Sequence, residues 1–128
     1  MKNALLALVL AVAAQPAAVR AHHSFASEFD ANQPVSLKGI VTMVEFINPH
    51  SWIHIDVADT EGKVANWSIE MDPASHLARE GWRSTLLKPG DKISVVVYPL
   101  RNDEKGGQYI SVTLADGTKL GGRDDGVI

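Results

Sequence analysis

The chain has 128 residues, about the length of one domain, and it can build one hydrophobic core. Its formal net charge of -3 is unsuited to holding phosphates, which argues against a nucleic-acid partner. It contains no cysteine, and this excludes a disulfide, a thiolate zinc site and a lipid-modified cysteine. A thiol-free chain also fits an oxidising compartment.

Residues 1–21 have the three-part order of a cleavable secretory signal peptide. Lys2 supplies the positive start, an apolar run extends from Ala4 to Ala14, and small residues follow it. The run is shorter than the roughly 20 residues of a membrane-spanning helix, so it predicts export and no membrane anchor after cleavage. The small residue Ala21 favours a cut directly after it. We therefore expect a periplasmic protein whose mature chain begins at His22.

Beyond Ser24 the pattern predicts β-strands. They run from Val35 to Phe46, Trp52 to Val57, Val64 to Met71, Ile93 to Pro99 and Tyr109 to Leu114. The alternation is clearest in the second, where Ile53 and Ile55 point one way while Trp52 and His54 point the other. A short piece at Lys119 and Leu120 is expected to pair back.

One helix is expected between the third and fourth strands. Asp72 is suited to cap it, Pro73 to occupy its first position and Gly81 to end it. Three strands, a helix and two strands is the element order of the OB-fold, so we predict an all-β chain with one short helix, folded as a small OB-fold-like Greek-key barrel. A two-sheet sandwich would use the same strands.

The predicted organisation has four parts. They are the signal peptide at 1–21, an amino-terminal arm at 22–34, the barrel at 35–120 and a disordered tail at 121–128.

The histidines are the residues best suited to chemistry. If cleavage follows Ala21, His22 presents an α-amino group and an imidazole, which can chelate one metal ion together. A further imidazole would complete a three-nitrogen histidine brace, and nitrogen donors in that arrangement favour copper(II). His50 is the preferred third ligand, because it lies in Asn48-Pro49-His50 at a turn before a strand, where the barrel end can meet the arm.

Two other histidines are secondary metal ligands. His54 shares a face with His50 but lies about 13 Å along the strand, too far for both to reach one ion without a bulge. His23 replaces His22 if the signal peptidase cuts elsewhere. His76 is left out, because it lies on an exposed-looking helix, and Glu70 is interpreted as a solvated surface residue.

Each histidine also has a structural interpretation. His22 and His23 can be a frayed start, His50 can bond a turn, and His54 can be a surface residue beside Trp52. The alternative function is therefore a metal-free accessory or interaction module that binds a periplasmic protein or a small ligand. An aromatic platform for a sugar or a peptide has less support, because Trp67 alternates with Ile69 and is expected in the core.

Catalysis finds little support in the sequence. It contains no Ser-x-x-Lys, Gly-x-Ser-x-Gly, His-Glu-x-x-His or phosphate-cradling glycine loop. We therefore expect a carrier, buffer or sensor of copper rather than an enzyme, and the oligomeric state stays open.

Several short motifs together resemble a family of short exported bacterial proteins known chiefly as a domain of unknown function. These motifs are His22-His23-Ser24-Phe25-Ala26, Glu28-Phe29-Asp30, Pro34-Val35, Leu37-Lys38-Gly39, Asn48-Pro49-His50, Gly81-Trp82 and Leu87-Lys88-Pro89-Gly90-Asp91. The resemblance implies a signal peptide and a small barrel, and it supplies no activity or ligand set. Where that family commonly reads Gly-Ser-Pro before the helix, this chain has Met71-Asp72-Pro73.

Overall fold

The computed structural model describes residues 24–122. The predicted signal peptide, His22, His23 and the tail beyond Gly122 lie outside this range. The strands are β1 Val35–Glu45, β2 Trp52–Ala58, β3 Val64–Glu70, β4 Lys92–Pro99, β5 Gly106–Thr113 and β6 Lys119–Gly121. The helices are α1 Phe25–Glu28 and α2 Ala74–Leu77, and a 3-10 turn at Ala78–Glu80 continues α2. No helix within the described range has the length and apolar character to span a membrane.

One sheet closes on itself to form a five-stranded barrel. The strands follow the order β3-β2-β1-β4-β5, and a parallel pairing of β3 with β5 closes the ring. The other pairings are antiparallel, and β6 adds to β5 as a short edge, as the sequence predicts. With α2 between β3 and β4, this is the connectivity of an OB-fold-like barrel. The fold prediction is confirmed, and the strands form one closed sheet rather than a two-sheet sandwich.

The alternation predicted for β2 places its side chains as expected. Ile53 and Ile55 are fully buried in the barrel, whereas Trp52 and His54 lie on the outer surface and are partly exposed. Each buried aliphatic side chain of this size contributes about 1.5–3 kcal/mol through its removal from water. The inner face of β2 therefore belongs to the core, and its outer face is available for polar contacts.

The helix lies where the sequence predicts, but it begins differently. Pro73 occupies the cap position, α2 starts at Ala74, and no side chain caps it, so the predicted capping role of Asp72 is wrong. Gly81 ends the 3-10 turn with a φ of 97°, as predicted, because glycine adopts this left-handed conformation without a steric penalty. The arm also contains α1, a single turn that the sequence analysis does not predict.

Candidate metal centre

His50 lies beside a carboxylate at one end of the barrel. Its Nδ1 is 3.3 Å from Oε1 of Glu70, the last residue of β3. The strand register explains the contact, because Glu70 pairs with Trp52, two residues after His50. The His50 side chain is 53% exposed, and within residues 24–122 nothing is bonded to its Nε2. One ring nitrogen of His50 thus lies beside a carboxylate, and about half of the side chain is exposed.

Glu70 is not the freely solvated residue that the sequence analysis expects. Its side chain is 23% exposed, and burial raises the pKa of its carboxyl above the ordinary value. His50 opposes this rise, and the nearby carboxylate of Glu28 adds to it. Glu70 is therefore a partly buried surface residue, less solvated than the sequence predicts. Its pKa thus responds to both the imidazole of His50 and the charge of Glu28 in the amino-terminal arm.

The arm is fixed against the barrel by several contacts. Phe25 of α1 packs edge-on against Tyr98 at a centroid distance of 5.4 Å. The backbone N–H of Arg101 donates to the carbonyl of Glu28, and its side-chain Nε donates to the carbonyl of Ala26, both at 2.9 Å. These contacts hold α1 in place, and they explain why Glu28 lies close enough to Glu70 to affect its pKa.

His54 has polar partners at both ring nitrogens. Its Nδ1 is 3.0 Å from the hydroxyl oxygen of Ser68, and its Nε2 is 3.2 Å from Oε2 of Glu45. The ring also stacks on Trp52, with an interplanar angle of 15°. A metal ion would have to displace one of these partners. His54 is therefore a poorer ligand than His50, as the sequence analysis also ranks it.

The Ser68, His54 and Glu45 chain has the order hydroxyl, imidazole, carboxylate that activates nucleophiles in some enzymes. Such a site also needs backbone donors aimed at a developing oxyanion. The backbone N–H of Ser68 instead donates to the carbonyl of Lys105 at 3.1 Å. These contacts give His54 polar partners at both ring nitrogens on the outer face of the sheet.

A second cluster of potential ligands is absent from the sequence analysis. Asp72, His76 and Glu80 each present one ligand atom, and these atoms lie within 4.8 Å of one another. Nε2 of His76 is 3.2 Å from Oε1 of Glu80. The four-residue spacing of His76 and Glu80 was a readable signal, because residues four apart share one face of a helix.

An open cavity of about 730 Å³ adjoins this cluster. Its wall includes Asp72, Glu80, Gln108 and the aromatic residues Phe25 and Tyr98. Gln108 pairs with Glu70 in the parallel β3–β5 ladder. The cavity therefore lies next to Glu70, the residue that contacts His50. Carboxylates, aromatic rings and an amide therefore share one side of the barrel.

Tyr109 is the most strongly perturbed titratable residue of the described range. Burial raises the pKa of its phenol to about 12, against the effect of a hydrogen bond from Trp82 Nε1 at 3.2 Å. Glu80 and Asp72 raise it further through their negative charge. Trp82 is only 2% exposed, which confirms its predicted packing between helix and barrel and removes it from any aromatic platform.

Comparison with known proteins gives a family but no activity. No curated protein and no solved structure matches the chain. The model of a family of unknown function, DUF6152, matches residues 8–109. This match covers most of the chain, including β1 to β4, the helix between β3 and β4, and His50. The chain belongs to the DUF6152 family.

Proposed function

We propose that this protein is an exported periplasmic copper carrier, buffer or sensor. Its copper(II) ligands are the α-amino group and imidazole of His22 and the Nε2 of His50. Export supplies the first pair of ligands, because cleavage after Ala21 creates the free amine on His22. Three nitrogen donors in this arrangement favour copper(II) over calcium or magnesium.

The contact between His50 and Glu70 is the observation that carries the proposal. Histidines that bind metals almost always donate their other ring N–H to a carboxylate, a carbonyl or water. Oε1 of Glu70 lies 3.3 Å from Nδ1 of His50, close enough for its negative charge to favour a proton on that nitrogen and a lone pair on Nε2. The 53% exposure of His50 leaves that nitrogen accessible to an ion.

The position of the arm supports His22 as a partner of His50. Glu28 lies near enough to Glu70 for its charge to raise the Glu70 pKa. Ser24 precedes α1 by one residue, and two residues of extended chain reach at most about 7 Å. The proposal requires the two residues before Ser24 to bring His22 to the barrel end where His50 lies.

His54 and His23 are the substitute ligands in this proposal. His54 would have to give up either Ser68 or Glu45, and both contacts are no longer than 3.2 Å. His23 becomes the chelating residue only if the signal peptidase cuts one residue later. The preferred copper ligands are thus His22 and His50, and the substitutes are His54 and His23.

A copper titration of processed protein tests the proposal. Amino-terminal mass measurement first establishes that the chain begins at His22. The His50→Ala variant should then bind copper(II) at least about tenfold more weakly, while His54→Gln, the matched control, should bind like wild type. Equal affinity of His50→Ala and wild type would exclude His50 as a ligand.

The cavity favours a second candidate function, a metal-free accessory module. Its aromatic and apolar wall, with Phe25, Pro34 and Tyr98, is of the kind that holds small ligands or a peptide side chain. Under this alternative the processed protein would show no saturable copper binding, and substitution of Tyr98 would impair binding of the periplasmic partner.

A further inference from the structure

We propose that the cavity of about 730 Å³ beside the amino-terminal arm binds a small organic cation, a protonated amine attached to an apolar body. Its volume falls within the roughly 300–1,000 Å³ that small-molecule sites occupy in proteins. Neither His50 nor His54 is among the described residues that line the cavity. The inference therefore goes beyond the copper proposal and does not depend on it.

The arm and the barrel together form an apolar wall. The arm supplies Phe25 and Pro34, and β4 supplies Tyr98. Phe25 is 41% exposed, and its ring meets that of Tyr98 at 5.4 Å with an interplanar angle of 82°. The side chain of Arg101 holds this part of the arm in place by donating to the carbonyl of Ala26. The wall is thus formed before any ligand arrives, and an apolar body that covers it gains the free energy of burial.

The charged residues of the wall are both acidic. Among the described residues that line the cavity, they are Asp72 and Glu80. Within residues 24–122, neither forms a salt bridge with a lysine or an arginine, although Nζ of Lys119 lies near Gly122 at the rim. His76 contacts Glu80 at 3.2 Å, but it is not one of the lining residues. The charge of the wall therefore complements a cation and disfavours an anion.

Tyr109 senses the negative charge of the cavity that it lines. Burial is the main cause of its raised pKa, and the charges of Glu80 and Asp72 raise this pKa further. The negative charge that disfavours a phenolate at this position favours a cation there. The aromatic rings act in the same direction, because the face of a ring attracts a cation within about 6 Å of its centroid. We therefore expect the ammonium group near the carboxylates and the apolar body against Phe25 and Tyr98.

Three probes of similar size test the charge that the cavity selects. They are phenethylammonium, the neutral 2-phenylethanol and the anionic 3-phenylpropionate, each titrated into the processed protein at pH 7 and followed by NMR. Phenethylammonium should bind saturably, because it offers both the cation and the apolar body. The neutral probe should bind at least about tenfold more weakly, since it lacks the attraction to the carboxylates and the ring faces. The anionic probe should not bind.

Substitutions that preserve shape separate the charge of the cavity from its apolar wall. The double variant Asp72→Asn, Glu80→Gln should bind phenethylammonium at least about tenfold more weakly and 2-phenylethanol as wild type does. Tyr98→Leu should weaken both probes, whereas Tyr98→Phe keeps the ring and should bind like wild type. The control Glu61→Gln changes a carboxylate in the β2–β3 turn, away from the cavity, and should have no effect.

Three results would overturn the cation site. They are the absence of saturable phenethylammonium binding to the folded wild-type protein, equal affinity for the neutral probe, and cation binding that survives the double substitution of Asp72 and Glu80. A copper titration of the same samples keeps the two proposals distinct. Failure of copper binding would overturn the His22 and His50 site and leave this one intact, and failure of phenethylammonium binding would leave the copper proposal intact.

Discussion

Nδ1 of His50 lies 3.3 Å from Oε1 of Glu70, and this contact joins the turn before β2 to the end of β3. The Glu70 side chain is partly buried, at 23% exposure, while the imidazole of His50 is 53% exposed. A carboxylate beside one ring nitrogen fixes the orientation of the imidazole, and with it the direction of the other ring nitrogen. In the copper proposal, this contact orients the imidazole of His50.

Glu70→Gln is expected to stabilise the protein at neutral pH. Because burial raises the folded-state pKa of Glu70, the folded state prefers the protonated, neutral carboxyl. Its stabilising contribution is present below the unfolded pKa, about 4.3, and is lost as pH rises through the raised folded value. Glutamine is neutral at every pH and has nearly the same size and shape as glutamate. The free energy of unfolding from urea titrations should therefore exceed that of wild type near pH 7 and match it near pH 4.

The control for this prediction is Glu61→Gln, an exposed carboxylate in the turn between β2 and β3. It should leave the pH dependence of the free energy of unfolding unchanged. A Glu70→Gln protein that is less stable than wild type at neutral pH would mean that the charged pair with His50 outweighs the cost of burial.

Tyr109→Phe is expected to destabilise the barrel. It removes the acceptor for Trp82 Nε1, a buried donor, and an unsatisfied donor of this kind costs about 1–3 kcal/mol. Chemical denaturation at neutral pH measures the loss. The matched control is Tyr98→Phe, which removes a hydroxyl from a half-buried ring and should change the free energy of unfolding by less than about 0.5 kcal/mol.

Tyr109 should also govern the stability of the protein in alkali. Its folded pKa is about 12, whereas the unfolded phenol ionises near its ordinary value of about 10. Since the folded value is raised, the contribution of Tyr109 is complete below about pH 10 and is lost as pH rises towards 12. Ultraviolet absorbance should show one tyrosine ionising late. A Tyr109→Phe protein should lack that late transition, and its persistence would show that Tyr98 is responsible.

Gly39→Ala is expected to destabilise the β1–β2 pairing. A methyl group at this position would lie 2.6 Å from the carbonyl oxygen of Asp56, closer than such atoms approach without movement of the backbone. Overpacking of this kind typically costs about 1–3 kcal/mol. Thermal unfolding of Gly39→Ala and of Lys38→Ala, its exposed neighbour, provides the comparison. Equal melting temperatures would show that the two strands separate at little cost.

Much of the barrel was predictable because the relevant signals are local. In β2, one face enters the core and the other meets solvent, so apolar and polar residues alternate and Ile53 and Ile55 are recognised as core. Gly81 marks the helix end for a similar reason, because its positive φ suits glycine. Signals of this kind depend on residues close in sequence.

The sites were harder to predict because their contacts are distant in sequence. Glu70 is an alternating polar residue of β3, and only the pairing with Trp52 brings it to His50. Asp72 has the sequence features of a helix cap, but α2 begins after Pro73 and leaves the carboxylate to face His76 and Glu80. The local sequence around Glu70 fits both a solvated residue and a partner of His50, and only the strand register decides. The local sequence around Asp72 likewise fits both a helix cap and a neighbour of His76, and only the start of α2 decides.

A single extra residue at the mature amino terminus tests the copper proposal most directly. Processed protein that begins at His22 and the same protein with one added glycine should be titrated with copper(II) at the same pH. The added glycine moves the free amine away from the His22 imidazole without altering the barrel. The proposal predicts that affinity falls at least about tenfold, a loss of about 1.4 kcal/mol of binding free energy. Unchanged affinity would contradict it.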